Sequence, residues 1–393
     1  MSQRIQKILK LKTDYKKGDN CLVTISDSHL MNHWSYGKYN ERGINSDLIT
    51  KFLILKEALL LSEKTYSPFI FCGDLLDQRV VDGVTLEYTS SFIRLLIKSK
   101  KENKIPGYIL LGGNHELDDS AGNFSTLKHY SYFAENIITS PSVITFGNLN
   151  FICLPANQSI KEQLNTILLK YKNNPGLNIL LLHGAIEGAD LGSMRAPDGI
   201  AASVIEKCSK QFDWVICGDF HKYQIVNNLK NVYYCGSPNQ MNLSDINVKH
   251  GYQLLNLSTN KINFIESDSP KFKIIEYVCG EYIHPWISDC IKYVDKIKNK
   301  IIIIKITGKL DQINNVKYDD IKNRLLQHGA YGVFKELNII KEFRNSTKIS
   351  NELSINEIIN KYVENKDFDK SVKIKERHKL VLQNFARKSY AWN

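Results

Sequence analysis

Five short apolar runs, each followed at once by Asp, His or Asn, constrain the fold of this chain more than any other feature. The runs have the length of strands, and they alternate with longer amphipathic stretches of helical period. This alternation predicts an α/β fold in which strands form layered sheets flanked by helices. Because ligands in open α/β sheets bind at the carboxyl ends of the strands, the five polar segments are expected to meet in one crevice.

The five segments are informative as a set rather than singly. In chain order they are LVTIS before Asp27 and His29, FIFC before Asp74, YILLGG before Asn114 and His115, NILLL before His183, and WVICG before Asp219 and His221. A single strand-end Asp often caps a helix or forms a turn. A lone His among apolar residues is more often a core side chain. All five segments together, in this order, are hard to explain as turns.

The residue types predict a metal centre. Apart from His115, the set combines three carboxylates, three histidines and an asparagine amide, which suit Mn, Fe, Zn or Mg better than thiolate-loving metals. There are too many ligands for one ion, which argues for two. A pair of ions clamps the attacking and leaving oxygens of an in-line displacement at phosphorus. We therefore expect metal-dependent hydrolysis of a phosphoester.

The segments resemble the pattern DxH, GDxxD, GNHE, isolated His and GHxH of the calcineurin-like metallophosphoesterase superfamily, over residues 21–240. The resemblance implies two divalent ions, Mn²⁺ first and Mg²⁺ as the alternative. The implied metal ligands are Asp27, His29 and His221 for one ion, Asp74 as the bridge, and Asn114, His183 and Asp219 for the other. His115 would stabilise or protonate the leaving oxygen, and Glu116 would orient the local turn.

Asp219 departs from the family pattern, because it stands where GHxH has its first histidine. A carboxylate can still bind a hard cation, and the site would then be more anionic and shifted toward Mn or Mg. The alternative is that Asp219 does not bind and that the second ion is weakly held.

The expected architecture is a two-sheet metallophosphoesterase sandwich flanked by helices, with a small β-α-β cap domain and a C-terminal helical tail. After an N-terminal extension at 1–20, the parts resemble those of SbcD-type nucleases. The resemblance implies a nuclease domain at 21–280, a DNA-binding cap at 281–345 and a tail at 346–393 that docks on a partner ATPase. After residue 222, short strands near 223–226, 232–235, 250–257 and 262–266 are expected to form hairpins that complete an antiparallel part of the sheet.

The segment Gly236–Pro238 narrows the substrate class, since it resembles the GSP or GTP that follows the last motif in SbcD-type (Mre-type) nucleases. These are the nuclease subunits of break-repair complexes, with phage and viral recombination endonucleases among their relatives. The resemblance implies DNA as substrate, an SMC-like (SbcC-type) ATPase as partner, and a homodimer within a heterotetramer. Asp77 lies where phage members often have Asp and cellular members often have His. The DNA-contacting residues are not assigned.

Net charge gives weaker support for a nucleic-acid partner. The chain carries +11, of which +8 lies from Ser267 onward, where 24 Lys and Arg face 16 Asp and Glu. A basic third fits an anionic partner. The competing explanation is the Lys-, Ile- and Asn-rich composition of an AT-rich genome. The eight cysteines form no CxxC pair, and no apolar run has the length of a signal or membrane segment, so a cytoplasmic location is expected.

Two other functions remain open on the sequence alone. A phosphatase acting on phosphoproteins or nucleotides would share the same motifs, because fold does not fix substrate. A chain with weakened catalysis could instead be a scaffold that bridges DNA and the ATPase, and Asp219 is the residue that keeps this alternative open.

Overall fold

The computed structural model describes residues 20–117, 125–157, 159–171, 175–190, 195–280, 282–283, 287 and 292–340. The predicted N-terminal extension, apart from Asn20, and the predicted tail at 346–393 lie outside the described residues. The strands are β1 Cys21–Ile25, β2 Phe69–Cys72, β3 Tyr108–Leu111, β4 Ile137–Ile138, β5 Ser142–Phe146, β6 Leu149–Leu154, β7 Leu177–His183, β8 Trp214–Gly218, β9 Gln224–Ile225, β10 Val232–Tyr234, β11 Gly251–Asn256, β12 Lys261–Glu266, β13 Lys271–Val278, β14 Tyr282–Ile283, β15 Lys300–Gly308 and β16 Gly332–Ile339. The α-helices are α1 Ser46–Thr65, α2 Gly83–Lys101, α3 Ile160–Lys170, α4 Ala202–Gln211, α5 Val294–Ile297, α6 Leu310–Asn314 and α7 Tyr318–Gln327.

The first sheet has the strand order β12-β11-β1-β2-β3-β4. Strands β1 to β4 run parallel, and β11 pairs antiparallel with β1 so that Cys21 lies opposite Asn256. Helices α1 and α2 supply the crossovers between the parallel strands. Helix α1 begins at Ser46 because the Asn45 side chain accepts a hydrogen bond from the Asp47 amide at 2.9 Å.

The second sheet has the order β5-β6-β7-β8-β10-β9. Strands β6, β7, β8 and β10 are parallel, and the two edge strands β5 and β9 pair antiparallel with their neighbours. The predicted hairpin strands after residue 222 are thus divided between two sheets. Strands β11 and β12 join the first sheet as a hairpin, whereas β10 lies parallel to β8 in the second. The predicted hairpins are present, since β9 pairs antiparallel with β10 and β11 with β12. They complete two sheets rather than one, because short apolar strands do not specify which sheet they join.

The two sheets pack face to face between two helical layers. Alternate residues of each strand point inward, so Leu22, Ile70 and Ile109 of the first sheet share one apolar cluster with Leu181 and Ile216 of the second. The intervening residues of each strand point away from the other sheet. They pack beneath helices α1 and α2 on one side of the sandwich and beneath α3 and α4 on the other. Burial on both faces explains why these strands are nearly uninterrupted apolar runs. The predicted two-sheet sandwich flanked by helices is confirmed.

A third sheet, of order β14-β13-β15-β16, follows the sandwich in the chain. Strands β13 and β15 are parallel, with Lys271 opposite Lys300. The predicted strand–helix–strand unit near residues 300–337 is present as β15, α7 and β16. An aromatic cluster joins this sheet to the segment after the first motif, where the Tyr36 ring lies 4.9 Å from that of Phe272 and 5.1 Å from that of Phe334.

Contacts between Cα atoms group the described residues of 20–307 and 315–338 into one compact unit. Residues 308–314, with the described part of the chain from 339, fall into a second unit. Within the described ranges, no helix combines the length and the apolar character needed to cross a bilayer.

Candidate metal centre

The predicted site residues converge at the carboxyl ends of strands from both sheets of the sandwich. The first sheet contributes Asp27 and His29 after β1, Asp74 after β2, and Asn114 and His115 after β3; the second contributes His183 at the end of β7 and Asp219 and His221 after β8. Ligand atoms lie within 4.8 Å of one another in three overlapping groups: Asp27 with His29 and His221, His29 with Asp74 and His115, and Asp27 with Asp74 and His183.

The local backbone is unusual where the strands end. Asp27, His29, Asp74 and Asp219 all have positive φ, at 52°, 42°, 56° and 109°. Non-glycine residues avoid this region at a cost of the order of 1–3 kcal/mol each, and such residues cluster at functional sites. Backbone hydrogen bonds hold the turns in place, since the Asp27 amide donates to the Gly73 carbonyl at 2.9 Å and the His29 amide to the Asp74 carbonyl at 3.0 Å.

Glycines allow the close approach of the motif loops. A Cβ atom on Gly73 would lie 2.0 Å from Nδ1 of His183, and one on Gly113 would lie 2.0 Å from Oδ1 of Asp74. A Cβ atom on Gly218 would lie 2.0 Å from the carbonyl oxygen of Cys72. These three glycines are therefore required by the packing of their neighbours, which the sequence pattern alone does not reveal.

His183 is fixed in one orientation. Its Nδ1–H donates to the Cys72 carbonyl at 2.8 Å, and its Nε2 lies 2.9 Å from Asn114 Oδ1 and 3.4 Å from Asp74 Oδ2. Although burial opposes the charged form, the Asp74 carboxylate raises the pKa of His183 well above its ordinary value. Metal-binding histidines commonly donate their other N–H to a backbone carbonyl in this way. The surroundings of His183 Nε2 therefore stabilise a positive charge.

The opposite side of the cluster also brings imidazole nitrogens close to Asp74. Nε2 of His29 lies 3.1 Å from Nε2 of His221 and 3.7 Å from Asp74 Oδ2. The His29 ring is buried, which lowers its pKa well below the ordinary value, and its Nδ1 has no hydrogen-bond partner among the described residues. Two imidazole nitrogens facing each other beside carboxylates fit a divalent cation better than they fit each other. The residues present therefore fit a metal ion.

The two central carboxylates have different electrostatic environments. Burial raises the pKa of Asp27 to about 6, although His183 acts in the opposite direction. For Asp74, burial also favours the neutral form, but His183 and then His29 outweigh it and hold the pKa of Asp74 below its usual range. Asp74 is thus the anion on which the histidines from both sheets converge, the position that the family pattern assigns to the bridging ligand.

Glu116 joins two motif loops. It is fully buried, and its carboxylate accepts hydrogen bonds from the Leu76 amide at 2.9 Å and the Gly113 amide at 2.7 Å. Burial raises the pKa of Glu116 to about 7, and the nearby Asp74 acts in the same direction. Its contacts reach further than the local turn expected from the sequence, because they fasten the loop after β2 to the loop after β3.

His115 is the most open of the predicted residues. Its backbone amide donates to Asp74 Oδ1 at 3.0 Å, and its Nδ1 donates to the Asp77 carbonyl at 2.5 Å. The ring is exposed and leaves Nε2 available to a substrate. Although partial burial opposes it, Asp74 raises the pKa of His115 above its ordinary value, and Asp77 adds to the effect.

Asp219 lies beside the cluster, and its amide donates to Asp27 Oδ1 at 3.0 Å. Burial raises the pKa of its carboxyl group, with His183 opposing. Its carboxylate is outside the three ligand groups given above. Its role as a ligand of the second ion stays a prediction.

Sequence reasoning missed the support beneath His29. Lys51 of α1 is fully buried; its ammonium group donates to the His29 carbonyl at 2.8 Å and pairs with Asp47 at 2.8 Å. Asp47 in turn accepts a hydrogen bond from the Asn239 amide at 3.0 Å. The only signal in the sequence was an Asp–Lys pair four residues apart, which on most helices is a solvent-exposed pair.

Comparison with known proteins agrees with this geometry. Residues 22–223, about half of the chain, match the family of calcineurin-like phosphoesterases. The chain is 25% identical over 95% of its length to the uncharacterized protein R555 of Acanthamoeba polyphaga mimivirus, of which it spans 27%. It is 24% identical to a subunit of the nuclease SbcCD of Staphylococcus epidermidis, covering 68% of this chain and 74% of that protein. It is also 24% identical to the DNA double-strand break repair protein Mre11 of Methanococcus maripaludis, covering 86% of this chain and 90% of that protein.

The family match covers all five strand-end segments and ends before the GSP region that follows them. Residues of those segments form one cluster with the chemistry of a metal site. The predictions of the superfamily and of a metal-dependent hydrolase are confirmed. The chain belongs to the calcineurin-like phosphoesterase family and is a metal-dependent phosphoesterase.

Proposed function

We propose that the chain is a metal-dependent DNA nuclease, the catalytic subunit of an SbcCD-like complex that processes double-strand breaks. The observation that carries the proposal is the extent of the similarity to Mre11, which covers 86% of this chain and therefore continues well past the family domain. A likeness confined to the catalytic domain would leave the substrate class open. One that continues into the basic C-terminal third favours a nucleic-acid substrate.

Two ions, Mn²⁺ by preference or Mg²⁺, would occupy the cluster. Asp27, His29 and His221 would hold the first, Asp74 would bridge, and Asn114, His183 and Asp219 would hold the second. When bound, the ions neutralise charge on the phosphodiester and lower the pKa of water. The protein residues fix the direction of each ligand: the Cys72 carbonyl orients His183, and Glu116 holds the Asp74 and Asn114 loops together.

His115 would be the catalytic side chain. With Nδ1–H donated to the Asp77 carbonyl, Nε2 is left to carry a proton that can pass to the leaving oxygen. In the metal-free protein, although partial burial opposes it, Asp74 raises the pKa of His115. A group of this kind contributes roughly 10²–10⁴-fold to the rate.

The partners follow from the same proposal. One relative is named as part of SbcCD, so we propose an SMC-like ATPase as partner and a homodimer within a heterotetramer. The cap at 281–345 would bind DNA, and the tail at 346–393 would dock on the ATPase. Phosphate contacts from basic residues should make DNA binding weaken steeply with salt.

The decisive test is digestion of end-labelled linear single- and double-stranded DNA with Mn²⁺, with and without the ATPase. EDTA and the Asp74→Ala variant should both abolish cleavage. A chain that binds two ions yet cleaves no DNA under any of these conditions would exclude the nuclease. Turnover of phosphoserine peptides or nucleotide monoesters instead would identify a phosphatase, and a chain that binds no metal would identify a scaffold.

A further inference from the structure

A cavity of about 480 Å³ opens beside the metal centre. Part of its lining is formed by Asn114, His183 and Asp219, the three residues assigned to the second ion. This volume falls in the range of roughly 300–1,000 Å³ typical of small-molecule sites. A substrate whose phosphorus lies at the metal centre would therefore have one of its substituents directed into this space.

The cavity walls are apolar. Ile160 and Ile200 are 9% and 1% exposed, Ala156 is 8% exposed, and Leu117 and Ala185 are half-buried beside them. Water in contact with apolar walls makes few hydrogen bonds, whereas a flat ring placed between them would bury apolar surface on both of its faces. These walls are suited to the uncharged part of a substrate rather than to a further phosphate.

Two cationic side chains complete the lining. Arg79 and Lys161 are exposed, while the apolar lining is buried or half-buried, so the positive charge lies at the outer edge of the cavity. Metal-ligand candidates, an apolar wall and exposed cations therefore line one cavity. A nucleotide chain offers matching parts in a scissile phosphate, a base and an adjacent phosphate.

We propose that this cavity binds one unstacked nucleoside, the one attached to the scissile phosphate, with Arg79 and Lys161 meeting the adjacent phosphate. The inference rests on the proposed nuclease function and adds a specificity element to it. A base inside the cavity cannot remain stacked in a duplex, and unstacking is least costly where the strand is already single. Cleavage should therefore favour unpaired nucleotides over the interior of a duplex.

The test compares two synthetic diesters with the same leaving group, thymidine 5′-(p-nitrophenyl phosphate) and methyl p-nitrophenyl phosphate, both with Mn²⁺. Wild type should prefer the nucleoside diester in kcat/KM by about tenfold or more, the range that hydrophobic pocket contacts provide. Ala185→Leu and, separately, Ile160→Phe should reduce that preference about tenfold, mainly through KM. Leu169→Phe lies on the same helix α3 but is 83% exposed, and should keep it.

The cationic edge is tested by binding alone. With EDTA present, the fluorescence anisotropy of a labelled thymidine oligonucleotide should show a salt dependence whose slope falls by about one for Lys161→Gln. The control Lys170→Gln, at the far end of the same helix, should not change the slope.

The outcomes separate the two proposals. If DNA and both diesters are cleaved, but the diesters equally well in wild type and in both cavity variants, the nucleoside cavity is wrong and the nuclease stands. If Lys161→Gln leaves the salt slope unchanged, the contact to the adjacent phosphate is wrong. If neither DNA nor either diester is cleaved, or phosphoserine peptides are preferred, the nuclease proposal fails and the cavity assignment fails with it.

Discussion

The buried ion pair beneath His29 allows one prediction to be worked out in detail. Replacing Lys51 by Met removes the ammonium group but keeps most of the apolar stem. Oδ1 of Asp47 would still accept the hydrogen bond from the Asn239 side-chain amide at 3.0 Å. Oδ2, which lies 2.8 Å from Lys51 Nζ, would lose its positively charged partner. With both side chains at most 2% exposed, this leaves an uncompensated buried charge, and we expect a loss of about 3–5 kcal/mol in the free energy of unfolding.

The effect should depend on pH. Burial already raises the pKa of Asp47 while Lys51 opposes it, so removing Lys51 should raise that pKa further. A carboxyl group with a raised pKa in the folded state binds its proton more tightly there than in the unfolded chain. The deficit of Lys51→Met should consequently shrink as the pH falls and grow as the pH rises above the carboxyl range.

Unfolding of the metal-free chain, followed by tryptophan fluorescence in urea, would measure the loss. Lys51→Met combined with Asp47→Asn should recover much of it, because no buried charge is left without a partner. Lys98→Met is the matched control, since it removes a lysine from another pair four residues apart, with Glu102 on α2, that is solvent-exposed. A loss below about 1 kcal/mol for Lys51→Met, as for an exposed pair, or a double variant no more stable than the single, would refute the reasoning.

Three further predictions concern the site and its surroundings. His115→Ala should retain both ions by elemental analysis but lose about 10²–10⁴-fold in kcat; loss of metal would contradict its assigned role. Gly113→Ala places a Cβ 2.0 Å from Asp74 Oδ1 and should lower metal content and destabilise the fold by about 1–3 kcal/mol, whereas Gly83→Ala, with nothing within 4 Å, should do neither. Asp82 caps α2; although partial burial opposes it, hydrogen bonds from the first turn lower its pKa, so Asp82→Ala should cost about 1 kcal/mol in thermal unfolding at neutral pH. That cost should fade as the pH falls through the lowered folded-state pKa, and a constant cost across this range would argue against the cap.

The positions of the site residues were predictable because they depend on local rules. Parallel strands place their carboxyl ends on one edge, so polar residues that directly follow apolar runs must meet there. The five apolar runs are present as β1, β2, β3, β7 and β8. The helices expected to flank the sheets are present as α1 to α4.

What the sequence did not reveal depends on partners far apart in the chain. Strand β13, Lys271–Val278, mixes charged and apolar residues without regular alternation and was not predicted, since its stability comes from pairing with β15 and from the aromatic contacts of Phe272. Lys51 could not be recognised as buried, because its partners are a backbone carbonyl and a carboxylate that is itself held by an asparagine nearly two hundred residues away. Tertiary contacts of this kind override what local propensity indicates.

The division of the ligands between two sheets has a consequence for assembly of the protein. Of the proposed ligands, His183, Asp219 and His221 come from one sheet and the others from the other sheet, so neither sheet alone would carry a complete binding site. The centre can form only after the sheets have docked, and a bound ion then acts as a cross-link across the sandwich. Metal affinity and sheet docking are therefore thermodynamically linked, and each should strengthen the other. Inter-sheet core residues such as Ile216 would influence metal retention without touching the metal.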